Sequence, residues 1–300
     1  MKIVLLIPCY NNARNLRNAF ASYYKLDPQP DRYIFCENNS RDDTARVIVR
    51  EFRRPKRLIR FWLRDDISTK GENPYLGIAT ARQLLLEAAR KEDPDFAIFM
   101  DSDIYVKTPA MIEMLTAWDK DIVGGIYWRA YPEGIYIASK WPSSITGKYF
   151  MRKWPEFDNQ VGPGLNEVAM TSGGCLCLSR RIIQDKRINF FPLYDRDPQA
   201  SEDYGYCLQA RDFGYKTYLD LRFIDFQKLN IIEAEYRRTP KIAKTREEEE
   251  ALLLRRVKMI NLLDHDIKAN AHKKSWTMVD GKYLPFTFDK GLIHPTPSSG

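Results

Sequence analysis

The chain has 300 residues, of which 44% are hydrophobic, 13% aromatic and 29% charged. This composition is that of a globular protein with a sizeable core, and it excludes a disordered or fibrous chain. The formal net charge of +7 favours an anionic partner, and nucleic acid, a membrane surface and a phosphorylated substrate are all compatible with that charge.

The N-terminal apolar run at residues 3–7 ends at Pro8, which makes it too short for a signal-peptide core or a membrane-spanning helix. The five cysteines include no C-x-x-C pair, so we expect neither a disulfide framework nor a structural zinc site. The expected location is therefore the cytoplasm. All three histidines lie beyond position 260, which favours carboxylate chemistry over histidine chemistry.

Apolar runs and helix-like segments alternate through the N-terminal half. The pattern predicts strands at 2–7, 32–36, 57–63 and 96–100, with helices between them at 12–24, 44–52 and 76–90. This alternation is typical of an α/β fold, in which helices cover both faces of a mostly parallel sheet. Ligands of such sheets bind beyond the carboxyl ends of the strands.

The second half is less regular. Residues 124–163 are rich in glycine, proline and aromatic side chains, and loops of this length inside a domain are usually functional. The pattern then predicts a strand at 175–178, a helix at 203–213 and strands at 216–219 and 223–226. A capping box at Thr245 and Glu248 predicts a further helix, and about the last fifteen residues look frayed.

Two carboxylates follow the fourth predicted strand, in Asp101-Ser102-Asp103. Residues i and i+2 of an extended chain point the same way, so both carboxylates can face one ligand. Paired oxygen donors of this kind suit Mg²⁺ or Mn²⁺ carrying a diphosphate. Of the five Asp-x-Asp pairs in the chain, only this one closes an apolar strand run, although two solvated turn aspartates are the simpler alternative.

Two other polar groups stand at the ends of predicted elements. Glu202 and Asp203 begin a helix, where they are either an N-terminal cap or a general base that takes a proton from a hydroxyl. Glu37 closes the second strand, either as part of an Asx-rich turn or as an acceptor of hydrogen bonds from a base or ribose.

Taken in order, these motifs resemble nucleotide-sugar glycosyltransferases of the family 2 type, which have the GT-A fold. The resemblance spans about residues 3–229 and rests on the ordered co-occurrence of individually common motifs. They are Ile7-Pro8-Cys9-Tyr10-Asn11, Glu37-Asn38-Asn39-Ser40 with Asp42-Asp43-Thr44, Asp101-Ser102-Asp103, Ser172-Gly173-Gly174-Cys175, and Glu202-Asp203 with Cys207 and Gly214.

The resemblance implies an inverting, metal-assisted transfer of a sugar from a nucleotide-diphosphate sugar, a UDP- or GDP-sugar, to an acceptor hydroxyl. It makes Asp203 the catalytic base, with Glu202 as the second choice, and it assigns Mn²⁺ or Mg²⁺ to Asp103 and Asp101. The residues implied in donor binding are Pro8, Tyr10, Glu37, Asn39, Arg82, Asp101, Ser102, Gly173 and Gly174.

One position departs from the family pattern. Many relatives carry a histidine as a further metal ligand where this chain has Gln227. Asp225 can replace it, His265 or His294 can fold back over the site, or the metal can keep an extra water.

The remaining regions carry less specific expectations. The aromatic residues at 127–157 are expected to form the pocket of a glycan, lipid-linked or other hydroxyl acceptor, or else a lid that only packs. Residues 1–235 are predicted to form the GT-A catalytic domain, and residues 236–300 a helical C-terminal extension with a frayed tail. Residues 50–64 hold seven arginines and lysines against one acid, which is either a solvated face or a contact with anionic lipid at the inner face of the membrane.

Three alternatives remain beside this interpretation. A retaining transferase of the same fold would not use Asp203 as a base. A sugar nucleotidyltransferase would need a glycine-rich, arginine-containing loop after the first strand, where this chain has Pro8-Cys9-Tyr10-Asn11-Asn12. A non-catalytic nucleic-acid-binding protein would suit the charge, but it gives no reason for acidic pairs at the ends of elements.

Overall fold

The computed structural model describes residues 1–38, 40–62, 74–106, 108–126, 128–131, 134–137, 139–142, 149–150, 164–190, 201–221, 232–234, 275–279, 282–289 and 292–295. The helices in these residues are α1 (Ala13–Tyr23), α2 (Thr44–Glu51), α3 (Pro74–Glu92), α4 (Met111–Thr116), α5 (Arg180–Gln184) and α6 (Glu202–Asp212). The strands are β1 (Ile3–Cys9), β2 (Arg32–Asn38), β3 (Lys56–Trp62), β4 (Phe96–Met100), β5 (Ile104–Val106), β6 (Ile122–Gly125), β7 (Trp128–Tyr131), β8 (Gly134–Ile137), β9 (Ser139–Pro142), β10 (Tyr149–Phe150), β11 (Leu165–Val168), β12 (Met170–Thr171), β13 (Cys175–Ser179), β14 (Thr217–Asp220), β15 (Ile232–Ala234), β16 (Ser275–Val279), β17 (Lys282–Asp289) and β18 (Leu292–Pro295).

Eleven of these strands form one sheet, in the order β11-β14-β6-β13-β4-β1-β2-β3-β16-β17-β18. Strands β4, β1, β2 and β3 run parallel to one another, and so do β6 and β14. Strand β13 runs antiparallel between β4 and β6. Because parallel neighbours need crossover connections, α1, α2 and α3 join β1 to β2, β2 to β3 and β3 to β4. The predicted α/β fold, with a large sheet flanked by helices, is confirmed.

Strand β1 shows how one strand serves two cores. Ile3, Leu5 and Ile7 belong to the core cluster that includes α1 and α2 on one face of the sheet. Val4 and Leu6 belong to the cluster that includes α3 on the other face. The alternation follows from the two-residue period of side chains along a strand. A continuous apolar run is therefore what a strand buried on both faces requires.

The sequence pattern located the main elements within a few residues. The predicted strands and helices of the N-terminal half correspond to β1, α1, β2, α2, β3, α3 and β4, and the later predictions to β13, α6 and β14. The short elements β5, α4, β6 and α5 were not predicted. Each is buried through contacts with the large sheet or its helices rather than through a periodic pattern of its own.

The C-terminal region contributes three strands. Strand β16 pairs antiparallel with β3, and β17 and β18 continue the sheet as far as Pro295. The sequence analysis did not predict these strands, although residues 275–289 are rich in aromatic and β-branched side chains. Asp280-Gly281, between two such runs, is a strong hairpin signal.

The helix expected after Thr245 and the strand expected at 223–226 lie outside the described residues. The division into domains at residue 235 stays a prediction. In the part of the chain that the structure describes, no helix is both long enough and apolar enough to cross a membrane.

One edge of the sheet collects the ends of several strands. The carboxyl ends of β1, β2 and β4 lie there because these strands are parallel. The amino end of β13 joins them, since its antiparallel register places Cys175 opposite Met100. Loops from both halves of the sequence therefore meet at this edge.

Phe52 lies at the centre of an aromatic cluster beneath α1 and α2. Its ring centroid is 4.8 Å from that of Phe20, 4.7 Å from that of Tyr33 and 5.0 Å from that of Phe35, and its side chain is almost fully buried. The cluster packs these two helices against β2, and so fixes the frame that carries the loops at the sheet edge.

Phe52→Ala should lower the free energy of unfolding by about 3–5 kcal/mol, because it removes a buried ring and leaves a cavity. Phe213→Ala is the matched control, since Phe213 is 44% exposed, and it should cost less than about 1 kcal/mol. Urea denaturation of both variants measures the difference, and similar losses would contradict the assignment of Phe52 to the core.

Candidate functional site

The loops that follow β1 and β2 are tied to each other. The backbone N–H of Asn11 donates to Ser40 Oγ at 3.0 Å, and the N–H of Ala13 donates to Asp42 Oδ2 at 3.0 Å. Ala13 begins α1, so Asp42 supplies an acceptor for one of the helix N–H groups that have no partner within the helix. Asn11 has a φ of 46°, a left-handed conformation that asparagine tolerates. The side-chain bonds therefore fix the shape of the first loop.

Two residues implied in donor binding lie on or next to β1. Pro8 is buried within the strand, and Tyr10 follows it, half-buried, at the sheet edge. Tyr10 is thus placed where a ligand beyond the strand ends could contact it. Asn39, which was expected nearby, lies outside the described residues.

Glu37, at the end of β2, is fully buried and engaged within the protein. Its Oε2 accepts a hydrogen bond from Arg60 Nε at 2.9 Å, and its Oε1 accepts one from the backbone N–H of Ser40 at 2.6 Å. Glu37 and Arg60 are register partners on β2 and β3. In this structure the carboxylate therefore holds the loop at Ser40. In the sequence, Arg60 is only part of a basic run, because the register that pairs it with Glu37 is a tertiary feature.

The segment after β4 is a turn, which corrects the assumption of an extended chain. The N–H of Ile104 donates to the carbonyl of Asp101 at 3.1 Å and closes the turn. Asp101 and Asp103 are both half-exposed, whereas Ser102 between them is buried. The hydroxyl of Ser102 accepts a hydrogen bond from Asn12 Nδ2 at 2.8 Å, a link that the sequence did not predict. The first loop and the Asp101–Asp103 segment are thus connected directly.

Arg82 on α3 lies beneath this segment, and its side chain is only 3% exposed. Nη2 donates to Asp101 Oδ1 at 2.8 Å, and Nε lies 3.1 Å from Glu202 Oε1. Gly173 borders the guanidinium so closely that a Cβ at this position would lie 1.4 Å from Arg82 Nη1. The carbonyl of Gly174 accepts the N–H of Asp101 at 3.0 Å, which fixes the two glycines beside the turn.

Asp203, in the first turn of α6, accepts four hydrogen bonds. Oδ2 accepts from the hydroxyl of Ser172 and from the N–H of Gly173, both at 2.8 Å. Oδ1 accepts from the hydroxyl of Ser201 and from the N–H of Tyr204. Two of the donors are backbone N–H groups, which can only donate, and the arrangement is one that an ionised carboxylate satisfies. Asp203 therefore joins the start of α6 to the glycine turn.

Glu202 is also buried, but its surroundings differ. Burial is the main cause that raises the pKa of Glu202 to about 8, and the charge of Asp203 adds to the effect. Arg82 opposes the shift. Of the two adjacent carboxyl groups, Glu202 is the one that holds a proton at neutral pH.

Asp101 and Asp103 are the candidate ligands of a divalent cation. They offer carboxylate oxygens at the sheet edge, the donor type that Mg²⁺ and Mn²⁺ prefer, and they fit an ion that keeps several waters. No cluster of three or more His, Cys, Asp or Glu that could hold a metal occurs among the described residues. Asp225, Gln227 and His265 lie outside those residues. His294 lies in β18.

Two further expectations concern side chains near the site. Trp141, considered for the acceptor pocket, is 6% exposed and belongs to the main core, so for this residue the packing alternative holds. The cysteines are buried and free, and burial raises the pKa of Cys175 and of Cys207 to about 12. Cys175 is therefore an ordinary buried residue, as predicted, rather than a nucleophile.

Glu202→Gln should change how stability depends on pH. An unfolded glutamate loses its proton near pH 4.5, whereas the folded Glu202 keeps its proton to about pH 8, so a rise in pH through this window favours the unfolded chain, in which the group can ionise. The unfolding free energy of the wild type relative to the variant should fall by on the order of 2–5 kcal/mol between pH 4.5 and 8. Denaturation of both proteins across this range measures the trend, with Glu113→Gln on the surface of α4 as control. A difference that stays constant would contradict the raised pKa.

Comparison with known proteins places the chain among glycosyltransferases. The sequence model described as glycosyl transferase family 2 matches residues 4–185. No curated protein matches the chain. Solved structures with similar topology include A197 from STIV, at 14% identity and a TM-score of 0.42, over 99% of this chain and 95% of that one.

Two other solved structures also match the chain. S. aureus TarS 1–349 has 14% identity and a TM-score of 0.43 over 99% of each chain. The mannosyltransferase PcManGT from Pyrobaculum calidifontis, in complex with GDP-Man and Mn²⁺, has 13% identity and a TM-score of 0.47 over 91% of this chain and 65% of that one.

The family and the GT-A fold that the motifs indicated are confirmed. Because the family model covers more than half of the 300 residues, the chain belongs to glycosyl transferase family 2 and is a glycosyltransferase.

Proposed function

We propose that this glycosyltransferase moves a sugar from a UDP- or GDP-sugar to an acceptor hydroxyl with inversion at the anomeric carbon. The observation that carries the proposal is the meeting of two acidic groups at one sheet edge. Asp101 and Asp103 follow β4, Glu202 and Asp203 begin α6, and Arg82 contacts a member of each group. An anionic donor and a hydroxyl acceptor need such neighbouring sites.

The donor half comprises the loops after β1, β2 and β4. Tyr10 and Pro8 would line the nucleoside pocket, and Glu37 would act by holding the loop at Ser40. Asp101 and Asp103 would hold Mn²⁺ or Mg²⁺, which supplies charge stabilisation to the leaving diphosphate when bound. Ser102, Gly173 and Gly174 would border the diphosphate and the sugar, and Asn39 and Asp225 are proposed as additional contacts.

Asp203 is the proposed base. An acceptor hydroxyl that replaces the hydroxyl of Ser201 or Ser172 would donate to the same carboxylate oxygen, so Asp203 could take its proton as it attacks. Glu202 suits this role less, since the raised pKa leaves it protonated at neutral pH. The glycine N–H that donates to Asp203 Oδ2 holds the carboxylate in place.

Asp203→Asn should lower transfer about 10²–10⁴-fold, because the amide cannot accept the proton. The stabilisation of the variant by a nucleotide sugar with Mn²⁺ should persist, since the donor contacts are unchanged. Initial rates and thermal shifts with a panel of nucleotide sugars measure the two effects. Asp212→Asn, on the exposed last residue of α6, is the matched control.

Three results would contradict parts of the proposal. Near-normal transfer by Asp203→Asn would exclude Asp203 as the base. Retention of the anomeric configuration, read by NMR of the product, would favour the retaining alternative. Salt-dependent binding of oligonucleotides without turnover of any nucleotide sugar would favour a nucleic-acid-binding protein.

A membrane contact is also proposed, for a smaller set of basic residues than the whole of residues 50–64. Arg60 is bonded to Glu37, and Lys56 Nζ donates to the backbone carbonyls of Val49 and Phe52. The exposed arginines here are Arg46, Arg50, Arg53 and Arg54, beside Val49, which is 55% exposed. Glu51, the acid within the segment, is bonded to Arg17. An apolar side chain among arginines suits the headgroup region of an anionic bilayer.

Charge reversal at Arg50, Arg53 and Arg54 should abolish binding to vesicles that contain phosphatidylserine, since each basic residue near the surface contributes about 1 kcal/mol. Reversal at Arg180, Arg181 and Arg187 changes the charge equally and should leave binding intact. These three arginines are paired with Asp93, Asp121 and Asp185 instead. Co-sedimentation measures binding, and equal effects of the two triple variants would reject the proposed surface.

A further inference from the structure

We propose that Arg82 is a positioning residue that joins the donor half of the site to the acceptor half, and that residue 173 is glycine to make room for it. The resemblance implied a direct contact between Arg82 and the nucleotide. The geometry points to an internal role, in which the guanidinium acts through two carboxyl groups. The catalytic consequence rests on the proposed function, whereas the structural part does not.

The burial of Arg82 supports an internal role. Its side chain is 3% exposed, whereas that of Asp101, which it contacts, is 30% exposed. A ligand at the sheet edge would therefore meet Asp101 before it met the guanidinium. Burying a guanidinium is costly unless it is paired, and here Asp101 supplies the counter-charge while Glu202 Oε1 lies 3.1 Å from Nε. The two carboxyl groups come from different parts of the fold, the turn after β4 and the start of α6, so the arginine connects these parts.

The position of Gly173 supports the second part of the proposal. A Cβ there would lie 1.4 Å from Nη1 and 2.3 Å from Cζ of Arg82, so even alanine would displace the guanidinium. Backbone conformation does not explain the glycine, because the positive-φ glycines among the described residues are Gly164 and Gly214. Space for Arg82 is the steric reason that the contacts of Gly173 support.

The same glycine connects Arg82 to the proposed base. The N–H of Gly173 donates to Asp203 Oδ2 at 2.8 Å while its Cα borders the guanidinium. The position of Arg82 therefore bears on the packing of Gly173, which donates to Asp203. Arg82 thus orients Asp101 on the donor side and, through Gly173 and Glu202, the start of α6 on the acceptor side.

A double-mutant cycle tests the steric part without any substrate. Gly173→Ala should strongly lower the urea midpoint of unfolding when residue 82 is Arg. The decrease should be less than half as large when residue 82 is Ala or Lys, because Ala removes the guanidinium that overlaps the new Cβ and Lys replaces it with a smaller group. The Lys variant keeps a positive charge beside the buried carboxyl groups, and it replaces the Ala variant in the cycle if the Ala variant does not fold. Gly124→Ala is the matched control, because the Cβ there would meet Thr171 Oγ1 at 2.3 Å rather than Arg82. Equal costs of Gly173→Ala in all backgrounds would overturn the proposal.

Steady-state kinetics test the positioning part. Arg82→Lys should lower kcat at least severalfold and leave the KM for the nucleotide sugar nearly unchanged, because lysine cannot hold two carboxyl groups in the same geometry and Arg82 does not touch the donor. A raised donor KM with unchanged kcat would overturn the proposal in favour of direct donor binding. If the wild type transfers no sugar, the proposed function fails, while the double-mutant cycle still decides whether Arg82 and Gly173 are coupled.

Discussion

Burying a carboxyl group at the edge of a sheet costs free energy unless the group has a hydrogen-bond or ion-pair partner. In this protein, the partners of the buried carboxyl groups determine how the loops of the site are arranged. Glu37 is bonded to Arg60 and to a backbone N–H. Asp203 accepts four hydrogen bonds, two of them from the backbone. Glu202 and Asp101 both contact Arg82, and burial also raises the pKa of Glu202. Each of these pairings joins a loop to another element. The contacts that satisfy the carboxyl groups therefore also set the arrangement of the loops at the sheet edge.

The sheet determines which of these groups can meet. Strands β1, β2 and β4 end at one edge because they are parallel, and the antiparallel β13 begins at that edge because Cys175 lies opposite Met100. The hydrogen bond from Asp101 N–H to the carbonyl of Gly174 continues this pairing into the site. A one-residue slip of β13 would move Gly173 away from Arg82. Strand register is therefore a requirement of the chemistry as well as of the fold.

Family membership gives the reaction class, and the arrangement of charges gives the division of labour that we propose within it. The donor side offers carboxylates that are half-exposed and able to accept a cation, whereas the acceptor side offers one carboxylate whose oxygens already face donors. The exposed basic surface around Val49 lies on α2 and the loop after it, on the other side of the sheet from α5. Exposed arginines thus surround Val49, whereas the proposed site is rich in carboxyl groups and has the buried Arg82 between its two halves. A membrane contact and an anionic substrate would therefore involve charged groups in different regions of the protein.

The apolar periodicity of the sequence predicted β1 to β4 and α1 to α3, because a strand buried on two faces and an amphipathic helix each leave a local pattern. The ordered motifs also identified the family, since Asp101, Asp103, Glu202 and Asp203 are recognisable by their place after a strand or before a helix. The pairing of Glu37 with Arg60, the turn at Asp101, the burial of Trp141 and the addition of β16 to β3 could not be predicted in this way. Each depends on strand register or on contacts between residues far apart in the chain. The sequence by itself determined the elements, the family and the acidic residues, and only the tertiary structure decided that a buried arginine and a glycine without room for a side chain hold them together, because local patterns carry no information about which distant groups meet.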